Sequence, residues 1–200
     1  MDLILPQSCA QALLERFLKA EAMAMWAVQS AQAQRIQDVP PHVLPFLRRH
    51  EEEEAQHLKE FERRLGVSPR ERRQLPRVPR HWWALAVHLL GYEALGLEFA
   101  KLLVQVQPDL SSILDDELVH VGFFENEVAQ LLTLGGVPAE RARQSARAWW
   151  RRLPRTLDRY LEGASLTPYR VSLRRAILIA IEGRFTELGL LHSMQVPTRV

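Results

Sequence analysis

Proline placement constrains this chain most. Proline lacks an amide proton and clashes inside a helix, so it marks where long helices cannot run. The twelve prolines stand at 6, 40, 41, 45, 69, 76, 79, 108, 138, 154, 168 and 197. They leave uninterrupted stretches at 7–39, 46–68, 80–107, 109–137, 139–153, 155–167 and 169–196.

Every long stretch reads as helix. In 10–36, Leu13, Leu14, Phe17, Leu18, Ala24, Met25 and Val28 recur at steps of three and four. In 42–65, Val43, Phe46, Leu47, Leu58, Phe61 and Leu65 do the same, and Gly66 supplies a helix stop. Segment 81–106 is apolar almost all round, as a buried helix must be. Segment 109–134 carries Ile113, Leu114, Val121, Phe124, Val128, Leu131 and Leu132, and meets Gly135-Gly136. Further helices are expected near 139–153, 155–163 and 168–193, with Pro154 separating the first two. No stretch alternates with the two-residue period of a strand.

The connections follow a pattern. A short Pro-rich turn joins the first two helices near 37–41, and a tight turn at Pro108 joins the third and fourth. The longer segment 66–80 lies between the pairs. Short, long, short is the connectivity of two antiparallel hairpins with one crossover. The expectation is an all-α four-helix bundle over 1–137, with two or three C-terminal helices over 138–200 packed on it as one domain.

Composition narrows the class. The chain has 200 residues, 47% hydrophobic and 25% charged, enough for one domain with a sizeable core and unlike a disordered chain. One cysteine, Cys9, excludes an intramolecular disulfide framework and a cysteine-only metal site. No apolar run approaches the roughly 18–20 residues of a membrane span, and the first residues lack a basic region and a long apolar stretch. A soluble cytoplasmic protein is expected, with peripheral attachment to a membrane as the alternative.

The formal net charge of +2 conceals an uneven distribution. Of the 26 basic residues, 23 are Arg. Segments 63–80 and 141–159 each hold seven Arg against one acid, which leaves the rest of the chain at −10. The Arg at 143, 147, 151, 155 and 159 step by four, interleaved with Trp149-Trp150. The two segments could meet an anionic partner, either RNA, a membrane surface or an acidic protein. The simpler reading is a solvated Arg face.

Polar residues that interrupt the apolar stripes carry the functional signal. Glu21 falls between Phe17/Leu18 and Ala24/Met25, and Glu54 and His57 between Leu47 and Leu58/Phe61. Glu93 falls between Leu89/Leu90 and Gly96/Leu97, and Glu117 and His120 between Ile113/Leu114 and Val121/Phe124. A spacing of three puts each Glu–His pair on one helical face. Four carboxylates in one core repel one another and lose hydration, so a positive partner is required. Two metal ions meet that need: carboxylates bind and bridge hard cations, and each imidazole adds a neutral donor. Iron, manganese or a mixed pair all suit this donor set. By chance about 0.6 Glu-x-x-His matches are expected in a chain with 18 Glu and 7 His, and two occur, both on core stripes. The competing reading is a metal-free bundle in which both pairs lie on helix surfaces; the run Glu51–Glu54 fits it, since three of those four must be solvated.

Glu21, Glu54-Ala-Gln-His57, Glu93 and Glu117-Leu-Val-His120 together resemble the ferritin-like di-iron carboxylate proteins over about residues 10–135. Within that superfamily, Glu54–Phe61 and Asp115–His120 are similar to stretches of demethoxyubiquinone hydroxylases. The interval from Glu93 to Glu117 is shorter than in that family, and Glu98 is the substitute if the third helix uses another ligand. The resemblance implies a cofactor of two iron ions, held by Glu21, Glu54, His57, Glu93, Glu117 and His120, with no catalytic residue beyond these ligands. It implies an O₂-dependent hydroxylase or oxidase acting on a small-molecule or carrier-bound substrate with an electron donor. A ferroxidase or iron-binding protein and a non-catalytic binding bundle are the alternatives, and a homodimer is an expected assembly.

Other candidates read as structural. His50, one turn before Glu54, reads as a partly exposed helix residue, with a supporting position behind the ligands as the alternative. His88 reads as a core histidine, His42, His81 and His192 as helix-end residues, and Glu182 and Glu187 as surface residues. The tryptophans read as core or interface, and the last helix as a core helix rather than a membrane-surface one.

Overall fold

The computed structural model describes residues 4–34, 36–67, 75 and 77–191. Six α-helices form a bundle: α1 (Ala10–Ala33), α2 (Val43–Leu65), α3 (Trp82–Val106), α4 (Ser111–Leu134), α5 (Gly136–Tyr160) and α6 (Arg170–Glu187). No strand occurs among the described residues; the only sheet-like feature is an isolated parallel bridge between Gln37 and His81. Of the basic segment 63–80, Arg70, Arg72 and Arg73 lie outside the described residues, as does His192.

That bridge fixes the direction of the crossover. Gln37 donates its amide to the Arg80 carbonyl, and Trp82 donates to the Gln37 carbonyl. The turn between α1 and α2 therefore sits beside the start of α3, so α2 and α3 begin at the same end and run parallel. At the other end, Arg64 near the α2 terminus reaches Asp109 at 2.6 Å in the turn between α3 and α4. A helix of 23 residues is about 35 Å long, so the end of α2 and the start of α3 lie about that far apart, at opposite ends of the bundle. The order of α1 to α4 is up, down, down, up, so the packed pairs α1–α2, α1–α3, α3–α4 and α2–α4 are antiparallel.

Local sequence explains the helix ends. Gly66 takes the left-handed conformation (φ 62°) after α2, with its amide bonded to the Arg63 carbonyl and that of Val67 to the Glu62 carbonyl. Pro108 starts the turn of 3-10 helix that reverses the chain between α3 and α4. Gly135 (φ 68°) separates α4 from α5 with almost no loop.

Pro154 does not divide the C-terminal region. It lies inside a single helix, α5, so the expected pair of helices is one. A proline there forgoes one backbone bond, a loss of about 3 kcal/mol in an isolated helix. Trp149, Leu153 and Leu157 on both sides of it are buried on the bundle and hold the helix straight through. The Arg stripe therefore runs along one continuous helix, opposite the buried Ala139, Ala142, Ala146 and Trp149 face. Arg147 pairs with Glu140, and Arg143 donates to the Gly189 carbonyl.

α3 is the axis of the molecule. It packs against α1, α4, α5 and α6, and 18 of its 25 residues are buried, which is why its sequence is apolar all round. The buried faces of α5 and α6 join the same core as the first four helices. α6 contributes Leu173, Ile177, Ile181 and Phe185 to it. No helix among the described residues is long and apolar enough to cross a membrane.

α3 and α5 approach closely because Gly91 has no side chain. A Cβ placed there would overlap the Trp149 indole, which also packs on Phe185 with ring centroids 5.4 Å apart. Gly91→Ala is expected to destabilise the fold by about 1–3 kcal/mol through overpacking. Gly122→Ala, where the space is open, is expected to stabilise by about 0.5–1 kcal/mol. Urea unfolding of both variants checks the contrast; equal effects would show that the α3–α5 contact is loose.

Candidate metal centre

The four helices turn every sequence-predicted ligand inward. Glu21 on α1, Glu54 and His57 on α2, Glu93 on α3, and Glu117 and His120 on α4 are all buried. They meet in one chamber. Glu21, Glu54, His57 and Glu117 each bring a ligand atom within 4.8 Å of the others, and so do His50, Glu54, Glu93 and His120. Glu54 belongs to both groups. Glu98 does not join them; its carboxylate accepts from Lys101 Nζ at 2.6 Å. Glu93 is the α3 residue that converges.

His50 corrects the sequence reading. It is wholly buried, with Nε2 3.2 Å from Glu54 Oε1 and 3.3 Å from Glu93 Oε2. The spacing from His50 to Glu54 is one helical turn and puts both on one face. Phe46 and Phe124 close over the ring, with centroids 5.7 Å from it, and exclude water.

The two Glu-x-x-His motifs exchange supports. His57 Nε2 is 3.1 Å from Asp116 Oδ2 on α4, and His120 Nε2 is 2.8 Å from Glu53 Oε2 on α2. Each support is the acid immediately before the Glu of the opposite motif. A carboxylate on Nε2 keeps that nitrogen protonated and turns the Nδ1 lone pair toward the chamber. His57 Nδ1 accordingly lies 3.5 Å from Glu21 Oε2, and His120 Nδ1 lies 3.4 Å from Glu54 Oε1. Of Glu51–Glu54 only Glu54 is buried, as expected, but two of the three solvent-accessible acids are also engaged by the bundle. Glu53 supports His120, Glu51 accepts from Gln29 and Gln32, and Glu52 alone of the four is exposed. The signal was the acid doublet Glu53-Glu54 matched by Asp116-Glu117, but which acid serves which imidazole is a matter of helix packing.

These atoms suit a metal better than they suit one another. Glu21 Oε2, both Glu54 oxygens, both His50 nitrogens, His57 Nδ1, Glu93 Oε1, Glu117 Oε2 and His120 Nδ1 are buried without a hydrogen-bond partner. Orphaned buried polar atoms are rare, and so many in one place need a common partner. Donors bound at about 2.1 Å to one ion stand about 3.0–3.4 Å apart. The observed nitrogen–oxygen separations of 3.2–3.5 Å match that spacing. The group can hold a metal ion.

Without a metal the chamber must hold protons instead. Burial raises the Glu21 carboxyl to about 7. Burial, reinforced by neighbouring carboxylates, pushes Glu54 and Glu117 well above the usual carboxylate range. Burial opposes a charged His50, but Glu93 and Glu54 outweigh it and push the imidazole up to about 10. Burial also opposes a charged Glu93, yet His50 and His120 hold its carboxyl at about 2.

The other described histidines, His42, His81 and His88, stand apart from the chamber. His42 binds the buried Glu127 at 2.6 Å. His81 lies 3.1 Å from Asp38 and stacks on Trp83. His88 is held down to about 4 by burial and by Arg152. It faces a groove of about 1190 Å³ bounded by α1, α2, α3 and α5, whose lining includes Leu18, Met25, Leu58, Tyr92, Trp149 and Tyr160. Glu182 and Glu187 on α6 do not reach the metal-binding groups.

The chain matches no protein-family model, no curated protein and no solved structure.

Two outcomes follow from this geometry. Glu21 has a folded value of about 7 against an ordinary 4.5. The unfolded chain therefore holds fewer protons between those values, and the metal-free fold loses stability as pH rises from 4.5 to 7. The raised His50 acts in the same direction at higher pH: its contribution is full below 6.5 and lost as pH climbs through about 10. Glu54 and Glu117, raised in the same sense, add to this fall and outweigh His88, whose lowered value acts the opposite way between about 4 and 6.5. The melting temperature of metal-free protein should therefore fall from pH 5 to pH 7, and the increment gained on adding metal should widen. A flat profile would mean that the carboxylates do not share a dry chamber. Gly96 makes room for Glu117, since a Cβ there would lie 2.7 Å from its Oε2. Gly96→Ala is expected to weaken metal binding by about tenfold or more, on the scale of losing a ligand's supporting partner, with far-ultraviolet dichroism unchanged. Unaltered affinity by calorimetry would remove Glu117 from the ligand set.

Proposed function

We propose that this chain is a ferritin-like di-iron carboxylate protein that acts as an O₂-dependent hydroxylase or oxidase of an organic substrate. One observation carries the reading: four carboxylates and three imidazoles, from all four helices of an up-down-down-up bundle, converge in a buried chamber with their facing atoms unpartnered. That helix order and the paired Glu-x-x-His motifs support the ferritin-like assignment. The all-oxygen-and-imidazole donor set, with no thiolate, suits iron and equally admits manganese.

Each side chain has a definable task. Glu54 would help to hold both ions, since its carboxylate belongs to both groups. Glu21 and His57 would complete one position with Glu117; Glu93, His120 and His50 would complete the other. Asp116 and Glu53 fix the orientation of His57 and His120. Phe46 and Phe124 keep the His50 and His120 side dry. Two iron ions held there would supply the two-electron reduction of O₂ and the oxidant derived from it. The protein excludes water from that chemistry and holds the donors before the ions arrive.

The apolar groove supports an organic substrate. Its wall residues Leu18, Ala22, Met25, Ala55 and Leu58 lie on α1 and α2, the two helices that also carry Glu21, Glu54 and His57. Arg16, Lys19, Lys59, Arg152 and Arg159 outnumber Glu15, Glu62 and Glu162 on the same groove, a balance that favours a substrate or carrier with negative charge.

The test is anaerobic reconstitution with Fe²⁺, followed by metal analysis and an optical spectrum after air exposure. Two iron ions per chain are expected, with the visible absorption of oxo- or carboxylate-bridged ferric iron. Glu54→Ala should lose both. Reductant-dependent O₂ uptake at stoichiometric iron would mark the oxygenase, whereas turnover of many equivalents of Fe²⁺ would mark a ferroxidase. No more than trace iron in the reconstituted wild type would overturn the reading.

A further inference from the structure

The two groups of ligands are not chemically equal. One comprises His50, Glu54, Glu93 and His120: two imidazoles and two carboxylates. The other comprises Glu21, Glu54, His57 and Glu117: one imidazole and three carboxylates. The difference is His50. Without it each position would hold a single imidazole.

His50 is placed as a ligand: without an ion it pairs with Glu93 and Glu54, the two carboxylates with which it would share one. Its side chain is wholly buried on α2, and neither ring nitrogen has a hydrogen-bond partner. Nε2 is aimed between Glu54 and Glu93, at 3.2 and 3.3 Å. The His120 ring lies 4.1 Å away, centroid to centroid, with Nδ1 3.5 Å from the same Glu93 oxygen. Two imidazole nitrogens thus face one pair of carboxylate oxygens in a pocket walled by Phe46 and Phe124. An imidazole that served only to fill space would be replaced there by an apolar side chain at lower desolvation cost.

Donor type sorts first-row divalent ions. Affinity rises from Mn²⁺ toward Cu²⁺ and remains high for Zn²⁺; imidazole suits the later ions, whereas carboxylate oxygens suit harder ones such as Mn²⁺. We infer that the chamber is an asymmetric two-metal site: the His50–Glu54–Glu93–His120 position fills first and selects later divalent ions, and the Glu21–Glu54–His57–Glu117 position fills second and accepts harder ones. This rests on the two-metal reading above and concerns how that site loads. It makes a mixed pair, such as zinc or cobalt with manganese, a defined product rather than a random mixture.

The test uses the full chain stripped of metal, with metal binding rather than turnover as the readout. Anaerobic calorimetric titration with Co²⁺ should show two steps of one ion each, the first tighter by about tenfold or more. One equivalent of Zn²⁺ followed by one of Mn²⁺ should leave one bound Mn²⁺ per chain, with the paramagnetic resonance spectrum of an isolated ion. His50→Gln should weaken the first step by about tenfold or more, the scale at which even a ligand's supporting partner is felt. It should abolish or reverse the order of the two steps, because the first position then keeps one imidazole and two carboxylates against one imidazole and three. His88→Gln, outside the chamber, should change neither step.

Two equal steps in the wild type, or displacement of Zn²⁺ by an equivalent of Mn²⁺, would overturn the asymmetry and leave the two-metal reading standing. His50→Gln with both steps unchanged would do the same. Failure of the wild type to bind any ion would overturn the two-metal reading itself. If His50→Gln does not fold, the zinc–manganese experiment on the unaltered chain still decides.

Discussion

Four carboxylates buried within one chamber govern the design of this protein. An isolated ionised carboxylate in an apolar interior is strongly disfavoured, and four together add mutual repulsion. The metal-free molecule meets that demand by holding protons on Glu21, Glu54 and Glu117 and by setting His50 against Glu93. A pair of divalent ions would meet it by neutralising the charge outright. The apolar packing of α1 to α4 around this polar centre is what keeps the cluster together when its own preference is to disperse into water.

The rest of the architecture serves that centre. α2 and α4 approach each other at few points, and the seam between them is spanned by side chains: His57 with Asp116, His120 with Glu53, and Phe46 stacked on Phe123 at 3.5 Å. Each Glu-x-x-His helix thus holds the other's imidazole. Gly96 gives α3 the clearance that the Glu117 carboxylate occupies. α5 and α6 cover α3, whose apolar circumference would otherwise face water. The Arg-rich outer face of α5 is the solvated side of that cover.

Much of this was legible in the chain. Proline spacing and apolar periodicity marked the first four helices to within about three residues, because long amphipathic helices declare both their period and their ends. The six predicted ligands were recognisable because a carboxylate on an apolar stripe is anomalous wherever it occurs. Pro154 misled, since its local cost is real but smaller than the packing of Trp149, Leu153 and Leu157 around it. His50 misled for the opposite reason. Its position on the Glu54 face was visible, but its burial depends on Phe46 and Phe124, and Phe124 belongs to a helix far along the chain.

The sequence by itself determined the helices, their order and the inward face of each, because these follow from the 3.6-residue period and the chemistry of proline and glycine. It also determined that carboxylates and imidazoles from the first four helices would face one core. Only the tertiary structure decided which donors stand together in each group that could hold an ion. The choice of Glu93 over Glu98, the addition of His50, and the exchange of Glu53 and Asp116 between motifs depend on the rotation and separation of neighbouring helices. Those are set by interdigitating side chains from distant segments, down to the missing side chain of Gly96, and no periodicity within a single helix encodes them.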